Sequence, residues 1–122
     1  MAVGGLDAEA KARVVQLILD GVAEEALVFL AGEYGVDVPR LRVGLPKGRK
    51  RSLVGCYSAR DKTISVLNSD VLKQPFVILH EFYHHLRTRV DLKHRGTEKN
   101  ANEFAHSFLR AYELIAMNPR RK

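Results

Sequence analysis

The chain has 122 residues, 46% of them hydrophobic and 28% charged, with a net charge of +6; this allows one domain, residues 1–122, with a modest core, and excludes a disordered chain. No uninterrupted apolar run approaches the roughly 20 residues of a membrane-spanning helix, and MAVGGLDAEAKAR lacks the basic-then-apolar pattern of a secretory signal, so a cytoplasmic location is expected. The single cysteine, Cys56, excludes an internal disulfide and a cysteine-built zinc site, and reads as a small buried strand residue.

From Leu6 to about Glu33, Val14, Ile18, Val22, Leu27 and Leu30 fall near one helical stripe, which predicts a long first helix with a bend at Gly21. Asp7 suits its N-cap and Gly35 follows its end. After Pro39, RLRVGL reads as a short strand leading into the basic loop PKGRKR. SLVGCYS and KTISVLN, joined by the polar turn ARD, read as a hairpin.

In SDVLKQPFVILHEFYHHLRTRV the period becomes helical, with Ser69 or Asp70 as the cap and Pro75 in the first turn. DLKHRGT is a polar connection, and EKNANEFAHSFLRAYELIAM is a final helix stopped near Asn118 and Pro119.

The chemistry concentrates in the second of these helical runs, where His80, Glu81, Phe82, Tyr83 and His84 spell H-E-x-x-H. Residues four apart on a helix lie about 40° apart around its axis, so both imidazoles project from one face and can take two corners of a zinc tetrahedron. Glu81 follows the first imidazole directly, and from there its carboxylate can exchange protons with a metal-bound water without displacing a ligand. Leu79, Phe82, Leu86 and Val90 form the apolar seam of the same helix, roughly opposite His80 and His84, so these two histidines are not expected in the core. His85, turned by about 100° from His84, is expected to be a structural hydrogen-bonding residue.

A catalytic zinc needs a third protein ligand. The metzincin continuation would place glycine at 87 and histidine at 90, where Arg87 and Val90 stand, and this excludes that family. The remaining candidates are Glu98, Glu103, His94 and His106. Glu98 opens EKNAN with Asn102 one turn further on the same face, the spacing of a ligand carboxylate and a polar partner able to hydrogen-bond a liganding imidazole. His106 and Tyr112 are candidates for oxyanion or substrate contacts.

The two halves HEFYH (80–84) and EKNAN (98–102) resemble the gluzincin zinc peptidases, and in size the chain is most similar to the minigluzincins, small soluble archaeal domains that look like the bare catalytic domains of integral-membrane metallopeptidases. The similarity covers about residues 52–112. It implies an α+β, zincin-like fold in which a long N-terminal helix packs on a small, mostly antiparallel sheet, followed by an active-site helix and a C-terminal helix. It also implies one zinc per chain held by His80, His84 and Glu98, with Glu81 as general base and acid and Asn102 behind the ligands.

The implied reaction is hydrolysis of a peptide bond by a zinc-bound water. An extended peptide or protein substrate would pair with KTISVL as the sheet edge above the cleft, and the tail NPRRK could occupy that cleft in a latent form. A different class of function, a non-catalytic zinc domain that binds nucleic acid or a protein partner, follows from the basic clusters RLRVGLPKGRKR, RTRVDLKHR and RRK.

Overall fold

A computed structural model describes residues 6–48, 53–90 and 97–117. His94, the tail NPRRK and part of the basic loop before the hairpin lie outside these residues. The fold is α+β, with four α-helices and a small three-stranded sheet.

Helix α1 (Ala8–Leu19) starts where Asp7 accepts a hydrogen bond from the Ala10 amide at 2.8 Å, and it buries Val14, Val15 and Ile18. The single long helix expected here is instead two, because Gly21 adopts φ +89°, a left-handed conformation incompatible with helix continuation. The chain turns and resumes as α2 (Ala23–Tyr34), which ends at Gly35 with φ +70°. Helix α1 does not back the sheet as expected. It packs chiefly along α4 (Thr97–Ala116), with Lys11 Nζ 3.3 Å from Ser107 Oγ and the Tyr112 hydroxyl donating to Gln16 Oε1 at 3.1 Å.

Strands β1 (Arg40–Val43), β2 (Gly55–Ser58) and β3 (Thr63–Val66) form a sheet of order β1-β3-β2. β2 and β3 are the expected antiparallel hairpin, but β1 joins β3 in parallel, so the sheet is mixed rather than mostly antiparallel. β3, in KTISVL, is consequently the central strand, buried at all four positions and hydrogen-bonded on both sides. It is therefore not an edge; the edges of the sheet are β1 and β2.

After β3, the Asn68 side chain, rather than Ser69 or Asp70, caps a short 3-10 turn (Ser69–Lys73) by accepting from the Val71 amide. Helix α3 (Pro75–Val90) then begins at a proline, whose fixed φ and missing N–H suit the first helical position. Leu79 and Phe82 are fully buried and Leu86 is packed against the same core, as the seam requires, while the Val90 side chain lies outside the described ones. Phe82 and Phe108 are the largest side chains in a core that joins α1, α2, β3, α3 and α4, and Phe104 lies against both rings. This aromatic packing fixes α3 against α4 and therefore the position of the side chains on their open faces.

Candidate metal centre

On α3 the four-residue spacing brings the His80 and His84 rings to 5.0 Å between centroids, with their Nε2 atoms 3.3 Å apart. The first turn of α4 brings in Glu98, whose Oε1 lies 2.9 Å from His80 Nε2 and whose Oε2 lies 3.1 Å from His84 Nε2. His80, His84 and Glu98 are thus close enough to hold a metal ion, each offering one ligand atom, all within 4.8 Å of one another. Both imidazoles are largely covered, whereas the carboxylate approaches from the solvent side with 78% of its side chain exposed.

These separations suit a small tetrahedral cation. Two ligand atoms each about 2.0–2.1 Å from a tetrahedral zinc lie roughly 3.3 Å apart, against the 3.3, 2.9 and 3.1 Å found here. Burial pushes the His84 imidazole below the ordinary histidine range; Glu98 opposes this and the neighbouring His80 adds to it. The neutral ring that results is the form a metal requires.

The Glu81 carboxylate lies almost wholly buried beneath β2, 8% exposed. That depth depends on Gly55: a Cβ there would meet Val77 Cγ1 at 2.8 Å and Glu81 Cγ at 3.6 Å, so the strand approaches α3 this closely only because the residue is glycine. Between β2 and the ligand face of α3 runs an open cleft of about 570 Å³, lined by Val54, Gly55, Cys56 and Phe76 together with Glu81 and the three clustered residues. Cys56 is therefore a half-buried wall residue and not part of the core.

The edge of β2 that faces away from β3 has a defined set of backbone groups. The Leu67 amide donates to the Val54 carbonyl at 2.8 Å, so in the antiparallel register Val54, Cys56 and Ser58 direct their N–H and C=O groups toward β3. Gly55 and Tyr57 direct theirs outward.

Among the other residues singled out in the sequence, Glu103 is exposed on α4 and does not belong to the cluster. The His106 ring packs 5.2 Å from Phe76, which in turn is 5.8 Å from His80, and His106 does not belong to the cluster. Tyr112 does not reach the cleft. It lies fourteen residues, about 21 Å of helix, beyond Glu98, and its hydroxyl is committed to Gln16. Asn102 is exposed, and the buried Nδ1 of His80 has no hydrogen-bond partner among the described residues, so the expected bond between them is not formed. Ala101 and Ala105 occupy the buried face of α4, and Asn102, about 100° around from Ala101, turns to solvent.

His85 is fully buried and, as expected, structural. Its Nε2 lies 2.7 Å from the Asp37 carbonyl, which can only accept; Nε2 therefore carries the proton, and Nδ1 receives the Tyr57 hydroxyl at 2.7 Å. Asp37 also pairs with Lys62 at 2.9 Å. This clasp ties β2, α3 and the segment before β1 together at one end of the cleft. Tyr57 and Gly55 were not singled out in the sequence, although a glycine inside a β-rich run is a recognised sign of close backbone approach.

Compared with protein-family models, curated proteins and solved structures, the chain has no match.

Proposed function

We propose that this protein is a zinc-dependent metallopeptidase of the gluzincin type, with a zincin-like arrangement of α3 and α4 about the cleft. The observation that carries this reading is the convergence of His80, His84 and Glu98 at tetrahedral spacing, with a buried carboxylate, Glu81, beside them in an open cleft. Bound by His80, His84 and Glu98, zinc would supply a Lewis acid that acidifies a water and polarises the scissile carbonyl.

The chain's own residues do the rest. Glu81 takes a proton from the attacking water at its carboxylate and returns it to the departing nitrogen. The outward backbone groups of Gly55 and Tyr57 pair with an extended substrate, and the apolar wall of Val54, Cys56 and Phe76 excludes water from one side.

The test is metal content and peptide cleavage on the same purified protein, wild type beside Glu81→Gln. One zinc per chain in both, with cleavage in the wild type alone, is expected. Cleavage unchanged in Glu81→Gln would remove the proposed base. Zinc in both with cleavage in neither would favour a binding domain over an enzyme.

A further inference from the structure

We propose that the β1 edge of the sheet is a nucleic-acid-binding surface that grips the phosphodiester backbone through Arg40, Arg42, Lys47 and Arg60. The inference is independent of the peptidase reading, because this surface lies across the sheet from the cleft. β2 walls the cleft, β3 intervenes, and β1 is the far edge, about 10 Å away at the usual strand spacing.

The charge of the whole chain is concentrated in the sequence stretch that holds these residues, of which 49–52 lie outside the described ones. From Val38 to Arg60 the sequence holds seven of the protein's 20 lysines and arginines and none of its 14 acids. The remainder is close to neutral, so the net charge of +6 belongs in effect to this stretch.

The register then places part of that charge on one side. Arg40 pairs with Thr63 and Ser58 in one row, and Arg42 with Ser65 and Cys56 in the next, all projecting from the same face. The alternate rows, Leu41–Ile64–Tyr57 and Val43–Val66–Gly55, project from the other. Arg40 and Arg42 are exposed and stand two residues apart, about 6.6 Å along the strand. Lys47 is exposed beyond the C-terminal end of β1. Arg60 is exposed in the turn whose Lys62 carbonyl accepts from the Arg40 amide at 2.8 Å.

The acids nearest in the fold do not cancel this stripe. Asp37 is paired with Lys62. Asp61, beside Arg60, accepts from the Ser58 hydroxyl at 3.5 Å and donates its own backbone N–H to the same oxygen at 3.4 Å within the β2–β3 turn. Glu24 and Glu25 line a separate groove under Leu41 and Val43, the opposite face of β1. Among the described ion pairs, none involves Arg40, Arg42, Lys47 or Arg60.

Nucleic acid fits this surface better than an anionic bilayer. Three of the four cations are arginines, whose planar donors match phosphate in a bidentate manner. The rows that hold Arg40 and Arg42 carry no aromatic ring, so binding should follow the backbone and ignore base sequence. Insertion into a bilayer would require large apolar side chains beside the charges, and the two rows that hold Arg40 and Arg42 carry none; the exposed Val54 and Leu67 pair in the row beyond.

The experiment is fluorescence anisotropy of a labelled 20-base-pair DNA duplex of mixed sequence, titrated with the full-length protein between 50 and 200 mM salt. Arg40→Ser with Arg42→Ser is expected to weaken binding roughly tenfold or more at 100 mM salt and to lower the slope of log Kd against log salt by about 2. The charge-matched pair Arg13→Ser with Arg110→Ser, on α1 and α4, should change affinity by less than about threefold, and Glu81→Gln should leave it unchanged. Lys47→Glu, outside any strand, provides a second loss of affinity that does not depend on the sheet tolerating two serines. The proposal is overturned by absence of binding at 50 mM salt, by equal losses in the two double variants, or by tighter binding to vesicles containing phosphatidylserine than to the duplex.

Discussion

His84 and His85 are neighbours in the chain and opposites in the structure. His84 sits on the open face of α3, with its Nε2 near both His80 and Glu98 and no fixed hydrogen-bond geometry to satisfy all three. His85, one residue and about 100° further round, is fully buried with both ring nitrogens bonded at 2.7 Å. The same side chain is a structural strut on one face and, on the other, one of three residues close enough together to hold a metal ion. What differs is whether the surrounding fold completes its hydrogen bonds.

The sharpest way to break the comparison is to truncate each histidine in turn. His85→Ala removes a buried ring and strands the Tyr57 hydroxyl and the Asp37 carbonyl, and is expected to cost about 2–5 kcal/mol. His84→Ala should change the stability of metal-free protein by less than about 1 kcal/mol while abolishing stoichiometric zinc. Denaturant unfolding of the metal-free variants, alongside metal analysis, reads both. Equal stability losses would mean that the two faces of α3 are not divided as described.

Next in size is Gly55→Ala, where the added methyl must displace Val77 or the strand. Overpacking of this kind costs about 1–3 kcal/mol, and it should also reduce peptide cleavage by moving β2 off Glu81. Cleavage and unfolding measured on one preparation test both effects. Tyr57→Phe keeps the ring and deletes only the bond to His85, with an expected loss of about 1–2 kcal/mol in the same unfolding assay and no change in zinc content.

The smallest effect is confined to alkali. Tyr34 packs between Phe82 and Phe104, at 6.2 and 6.1 Å between centroids, and burial, with a contribution from Glu33, raises its phenol above the ordinary value of 10.0. Its stabilising contribution is complete below the unfolded value and is lost as pH rises through the folded one. Tyr34→Phe should therefore match the wild type near neutrality in its slope of stability against pH and fall less steeply above pH 10, as followed by thermal unfolding.

The pairing of His80 with His84 was legible in the sequence because it depends only on helical periodicity, a local property of the chain. From residue spacing Glu98 was one of four candidates and only the resemblance of EKNAN singled it out, since no local rule states which residue a second helix will bring to the first. The division of the first helical run at Gly21 was anticipated as a bend and became a break, because a single left-handed residue ends helical hydrogen bonding. The parallel docking of β1, and with it the transfer of the free edge from β3 to β2, left no mark in either strand's own pattern.

By itself the sequence determined the three strands and the two later helices, the two imidazoles on one face of α3, the buried seam opposite them, and the concentration of positive charge between Val38 and Arg60. All of these follow from residue type and spacing along the chain. Only the tertiary structure decided that Glu98 joins His80 and His84, that Glu81 is buried beneath Gly55, that Tyr57 is held by His85, and that Tyr112 faces α1 instead of the cleft. These depend on which elements pack together, and that is set by the shared aromatic core of Phe82, Phe104 and Phe108 and by the order of the strands, not by any one segment.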